Sequence, residues 1–225
     1  MLGALMYLFL WVSFAISRRL WFRWSVSGVS NLPPRHQMGM ILASNHLDWT
    51  DIHVIGASLP LAYRPSWIAK SEIFRNPIVK WWLYQMQVIP IQRGKRDTAA
   101  LDEAVHALKQ GAVVVIFPEG HRSRTGGLQH GRGGAVRLAI ASGCPIVPVA
   151  LHGTEHGPRG ALSRKPIHVH FGEPYYPKAE DAALPKDRMD QLTEEMMLHI
   201  ATILPEQYQG VYHQRMLEQS SPVAE

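Results

Sequence analysis

Met38-Gly39-Met40-Ile41-Leu42-Ala43 carries no charge and runs straight into Ser44-Asn45-His46-Leu47-Asp48-Trp49-Thr50-Asp51. An apolar run that stops at a polar cluster predicts a buried strand whose carboxyl end delivers a histidine. In open α/β sheets that end is where ligands bind. A histidine there can take a proton at neutral pH, and a nearby carboxylate can fix its tautomer and stabilise its charged form. An ideal helix, at about 3.6 residues per turn, sets positions five apart well off one face. His46 and Asp51 therefore meet only if His46 stands in an irregular lead-in to a helix containing Asp51. Asp48 is a rival partner.

A second stretch has the same design: Val113-Val114-Val115-Ile116-Phe117-Pro118-Glu119-Gly120-His121-Arg122-Ser123. Here a buried strand opens into a carboxylate, a flexible glycine and a guanidinium. In this order the two stretches resemble the glycerolipid acyltransferase family, with its Asn-His-x-x-x-x-Asp and Phe-Pro-Glu-Gly-Thr-Arg-Ser patterns. The likeness extends through Ile89-Pro90-Ile91-Gln92-Arg93-Gly94, Ile146–Leu151, Gly153-Thr154, Pro158-Arg159-Gly160 and Phe171-Gly172-Glu173-Pro174, so it covers residues 38–175.

The resemblance implies transfer of an acyl group from a thioester, acyl-CoA or acyl carrier protein, to the free hydroxyl of lysophosphatidic acid, yielding phosphatidic acid. It makes His46 the general base and Asp51 its partner, and it assigns Arg93, Glu119, Gly120 and Arg122 to substrate binding. The arginines offer planar forks to the acceptor phosphate. Glu119 would touch a glycerol hydroxyl or orient an arginine, and backbone N–H groups around Gly120 would hold the oxyanion. Lys70 and Arg132 could add charge. No cofactor and no metal is implied. Two departures stand out: His121 where the family has Thr, and Gly131 where an aromatic residue is common. Alternatives are another lysolipid acceptor, a thioesterase and a catalytically silent membrane-binding protein. A zinc enzyme is disfavoured, because no His-Glu-x-x-His motif or cysteine pair occurs.

The 225 residues suit one domain with a full core. Residues 1–165 hold 19 Lys/Arg against 8 Asp/Glu, and residues 166–225 hold 4 against 10. A basic front portion suits an anionic membrane surface or phosphorylated substrates. No nucleic-acid module is present. The sole cysteine, Cys144, excludes an intrachain disulfide. Leu2–Ile16 is uncharged and apolar and ends before Arg18-Arg19, short of the ~20 residues of a typical span. It reads as a helix embedded in or lying on one leaflet at the cytoplasmic face of the cell membrane, in preference to a true span, with a helix buried against the domain as the other alternative.

The rest alternates strand and helix patterns, which predicts an α/β fold: a mostly parallel central sheet with helices on both faces, preceded by an N-terminal membrane-associated helix. Pro90 marks an edge strand or an irregular position. Ile167, Val169 and Phe171 alternate with His168 and His170, as in a strand with one exposed face. The division is 1–30 membrane segment, 31–205 catalytic domain and 206–225 solvated tail. Oligomeric state is not legible.

Overall fold

The structure is a computed structural model that describes residues 2–20, 22–35, 38–91, 98–178 and 184–220. The chain runs α1 (Leu2–Leu20), β1 (Trp24–Ser27), β2 (Met40–Ser44), α2 (Asp51–Ser58), β3 (Pro65–Lys70), α3 (Pro77–Gln85), β4 (Val88–Ile91), α4 (Thr98–Lys109), β5 (Val113–Ile116), α5 (Gly134–Ser142), β6 (Ile146–His152), α6 (Gly157–Leu162), β7 (Ile167–Phe171), α7 (Lys186–Thr202) and α8 (His213–Ser220). Short 3-10 turns punctuate it.

The seven strands lie in the order β1-β7-β6-β2-β5-β3-β4, and every pairing is parallel except β6 with β7. The α/β architecture is therefore as the sequence predicts, with β4 and its Pro90 at one edge. Strand β2 lies centrally and is buried on both faces, so it can be written entirely in apolar or small residues. Ile41 and Ala43 point into one apolar cluster, with Leu138, Met196 and Ile200 from α5 and α7. Met40 and Leu42 point into the other, with Val54 and Ile55 from α2. This period-two division between two cores fixes the register, because a one-residue slip would exchange the faces.

Three expectations need correction. The boundary at residue 30 cuts off β1, which pairs with β7 along Trp24–Ser27 and belongs to the sheet. The described part of the stretch after Pro205, to residue 220, is docked on the domain and is not a free tail. Tyr212 is only 2% exposed and Met216 8%, and both pack in the core with α7. The same stretch is laced to the loop before α5, since Leu128 N–H donates to Tyr208 O (2.9 Å) and Val211 N–H to Leu128 O (3.0 Å). Nor is α1 a segment apart. Tyr7 Oη donates to Gly56 O (3.2 Å) and Trp11 Nε1 to Leu59 O (2.8 Å), while Gly3 sits so close to Gln85 O that a Cβ would approach to 2.6 Å. Along its other side Leu2, Leu5, Phe9, Ile16 and Leu20 are exposed. The helix is long and apolar enough to cross a membrane by length and composition.

Helix α3 shows the same split. Asn76 accepts from the N–H groups of Ile78 and Val79, and Pro77 fills the first position, so its start is well specified. It buries only Leu83, and Ile78, Trp81, Trp82 and Tyr84 are exposed.

Candidate functional site

Strands β2 and β5 pair with Ala43 opposite Ile116. Continuing both chains three residues past that point brings His46 level with Glu119, and the two loops are joined there. The His46 N–H donates to Glu119 Oε1 (2.7 Å), and the Ser123 N–H to His46 O (2.7 Å). On the other side Asn45 spans to β6: its Nδ2 donates to Leu151 O and its Oδ1 accepts from Leu151 N–H, both at 2.8 Å. The histidine is thus pinned from both neighbouring strands by its own backbone and by the residue before it.

The side chain is fixed by the loop that follows. Asp48 Oδ1 accepts from the Thr50 N–H (3.0 Å) and Thr50 Oγ1 (2.8 Å), closing a tight turn into α2. That turn swings Asp51, the first residue of α2, back beneath the loop. Asp51 Oδ2 accepts from His46 Nδ1 (2.7 Å) and from the N–H groups of Leu47 (2.7 Å) and Asp48 (2.9 Å). Position five meets position zero because His46 lies in irregular backbone before the helix, as the spacing required. Asp48 is occupied elsewhere, so Asp51 is the carboxylate that meets His46. Asp51 is fully buried, and its Oδ1 has no partner among the described residues. With Nδ1–H held by the carboxylate, Nε2 is the nitrogen left to act. The ring stacks on Phe117, 3.9 Å between centroids and 17° from parallel.

Glu119 departs from the expected contact with substrate. It is 1% exposed, and its oxygens are taken by backbone, Oε1 by His46 and Oε2 by the Gln129 N–H (2.9 Å). From this buried position it braces two loops. Burial pushes its carboxyl up to about 7; the two N–H donors pull it down and the negative Asp51 pushes it up further. Gly120 adopts φ +73°, and a Cβ there would lie 3.1 Å from Arg132 Nε. Glycine thus supplies both the turn and the space for Arg132. Its N–H donates to Phe117 O (3.0 Å) and is not free for an oxyanion, whereas the N–H groups of His121 and Arg122 have no acceptor among the described residues.

Arg122 is exposed on this loop and Arg132 lies beside Gly120 on the cavity wall. Arg93 lies outside the described residues, as does the side chain of Lys70. Gly131 packs against α7. A side chain there would meet Met197 at 2.5 Å, so α7 occupies the space an aromatic residue would need. Among the described residues no group of three or more His, Cys, Asp or Glu is arranged to hold a metal ion.

His46 opens onto a cavity of about 620 Å³, walled by α1 (Tyr7, Leu10, Trp11, Phe14), by Trp67 of β3 and by Met86. The contribution of α1 was not legible from the sequence, because a helix that faces both a membrane and a cavity shows one continuous apolar run. The Gln129 brace was equally silent, since a backbone donor carries no side-chain signature.

A histidine–carboxylate pair beyond the carboxyl end of β2, opening on a largely apolar chamber, makes a candidate active site in an α/β fold. Residues 23–152 match the model of the acyltransferase family, and the chain belongs to that family. It is 31% identical over 195 residues to a chloroplastic 1-acyl-sn-glycerol-3-phosphate acyltransferase of Brassica napus, covering 84% of this chain and 55% of the relative. It is 30% identical to the 1-acyl-sn-glycerol-3-phosphate acyltransferase of Bacillus subtilis, covering 74% and 80%. The chain spans about half the length of the chloroplastic relatives it matches. The crystal structure of the 1-acyl-sn-glycerophosphate acyltransferase of Thermotoga maritima shares the fold, with TM-score 0.60 at 24% identity over 91% of this chain and 75% of that one.

Proposed function

We propose that this protein transfers a fatty acyl group from an acyl thioester to the free hydroxyl of lysophosphatidic acid, forming phosphatidic acid. The observation that carries the reading is the His46–Asp51 pair at 2.7 Å on the wall of a largely apolar cavity. A cavity of about 620 Å³ falls within the roughly 300–1,000 Å³ of small-molecule sites. Its lining suits a hydrocarbon chain that reaches the histidine at its reactive end.

In this reading His46 Nε2 takes the proton from the acceptor hydroxyl as its oxygen attacks the thioester carbonyl carbon. Asp51 stabilises the imidazolium. The carbonyl π electrons move to oxygen, and the oxyanion is met by the His121 or Arg122 N–H. As the intermediate collapses the C–S bond breaks, and the imidazolium returns its proton to the leaving thiolate. The enzyme supplies no nucleophile, and acyl-CoA or acyl carrier protein enters as substrate. Arg122, with Arg93 and Arg132 as further cations, grips the acceptor phosphate, while Glu119 and Gly120 shape the loop. Monotopic binding at the cytoplasmic face of an anionic membrane is supported by the exposed apolar sides of α1 and α3 and by the basic residues in the last turn of α1 and just beyond it, Arg18, Arg19 and Arg23.

The test is a transfer assay on purified protein. Acyl-CoA and acylated carrier protein are each offered to lysophosphatidic acid, to a lysolipid with a neutral headgroup, and to water alone. Phosphatidic acid should dominate. Thioester hydrolysis without transfer would make the protein a thioesterase, and preference for the neutral headgroup would move the phosphate assignment.

A further inference from the structure

His53 lies two residues beyond Asp51, in the first turn of α2, and shares the cavity wall with His46. Its surroundings are aromatic and apolar. The Phe14 ring of α1 stands 5.6 Å away and the Trp49 ring meets it edge-on at 5.5 Å. Among the described residues neither imidazole nitrogen makes a hydrogen bond beside these ring contacts. The imidazole is partly buried, and the aromatic rings beside it give its nitrogens no hydrogen bond. A molecule that fills the cavity can supply one.

The chemistry of that partner follows from the state of the ring. Burial holds the imidazole below its ordinary pKa, so at neutral pH it offers one N–H donor and one acceptor. A neutral imidazole suits a neutral oxygen better than a phosphate. Its place narrows the choice further. His53 and His46 line the same cavity of about 620 Å³, so a group held by His53 lies in the chamber that the proposed base serves.

We propose that His53 is a specificity-determining residue that hydrogen-bonds a neutral oxygen carried by the lipid inside the cavity that His46 also lines. Resting on the acyl-transfer reading above, this has two sources. One is the ester carbonyl of the acyl chain the acceptor already bears, and the other is a hydroxyl near the carbonyl end of the incoming chain. A substrate lacking that oxygen enters the same cavity but leaves the imidazole unpaired, which discriminates against it.

The experiment compares wild type, His53→Leu and His53→Gln on two substrate pairs, after a melting-temperature check that each variant is folded. One pair is ester-linked against ether-linked lysophosphatidic acid; the other is 3-hydroxyacyl against plain acyl thioester. In one pair wild type should prefer the oxygen-bearing member in kcat/KM, and His53→Leu should shrink that preference by about 3-fold to 10-fold. Gln keeps a donor and an acceptor and should restore part of it. The responding pair identifies the source. Equal preferences in wild type and His53→Leu for both pairs overturn the proposal. If wild type transfers nothing, the acyl-transfer reading falls instead, and equilibrium binding of the same two lysolipids to wild type and His53→Leu decides the point by the same ratio.

Discussion

At the scale of the residue, the site is a set of single atoms with assigned partners, and that makes its predictions sharp. Asp51 Oδ2 holds three donors at once. Asp51→Asn should therefore lower kcat at least about 100-fold, because it loses the anion that orients and stabilises the base. Asp48 only closes the turn before α2, so Asp48→Asn should stay within a few-fold in kcat and cost about 1 kcal/mol or less in stability. A larger kcat loss in Asp48→Asn than in Asp51→Asn would reverse the pairing. Glu119 makes a different prediction. Its folded pKa of about 7 lies above the ordinary 4.5, so between those values the native state binds the proton more tightly than the unfolded chain. Stability contributed by this group is complete at low pH and is lost as pH rises from about 4.5 to about 7. Denaturant titrations across that window should show the decline in wild type and not in Glu119→Gln. An unchanged slope in the variant would assign it to another group. The sequence marked Glu119 as functional but misread its contact, because a carboxylate that braces loops and one that faces a ligand look alike in a motif.

At the scale of the element, legibility followed burial. Strands β2, β5 and β6 could be read directly, since a parallel strand covered on both faces is an unbroken apolar run. Strand β1, Trp-Ser-Val-Ser, could not. It is four residues long at the sheet edge and half-exposed, so its composition resembles a linker. The 206–212 stretch failed for a related reason: successive 3-10 turns carry no period that marks an inward face. The helix α1 was legible as apolar but not in its second role. Because Tyr7, Leu10, Trp11 and Phe14 wall the cavity, deleting residues 1–20 should do more than weaken vesicle binding. It should also raise the KM for a dispersed short-chain thioester and lower the melting temperature. Weakened vesicle sedimentation with unaltered kinetics on dispersed substrates would confine α1 to anchoring.

At the scale of the whole molecule, one sheet orients three surfaces. The carboxyl ends of β2 and β5 set the chemistry, α2 and β3 line the chamber beside it, and α1 with α3 closes that chamber while turning an apolar side outward. In the proposed reaction this arrangement would let a lipid substrate pass from a bilayer into the cavity without crossing water. The central claim is that His46 is the base that makes this arrangement an acyltransferase. It is tested most directly by the rate of phosphatidic acid formation from acyl thioester and lysophosphatidic acid in anionic vesicles, measured for wild type and His46→Ala. The variant should bind vesicles and melt as wild type does while its rate falls about 100-fold to 10,000-fold. A folded, vesicle-bound His46→Ala that keeps more than about a tenth of the wild-type rate, far above what loss of a general base allows, would contradict the account.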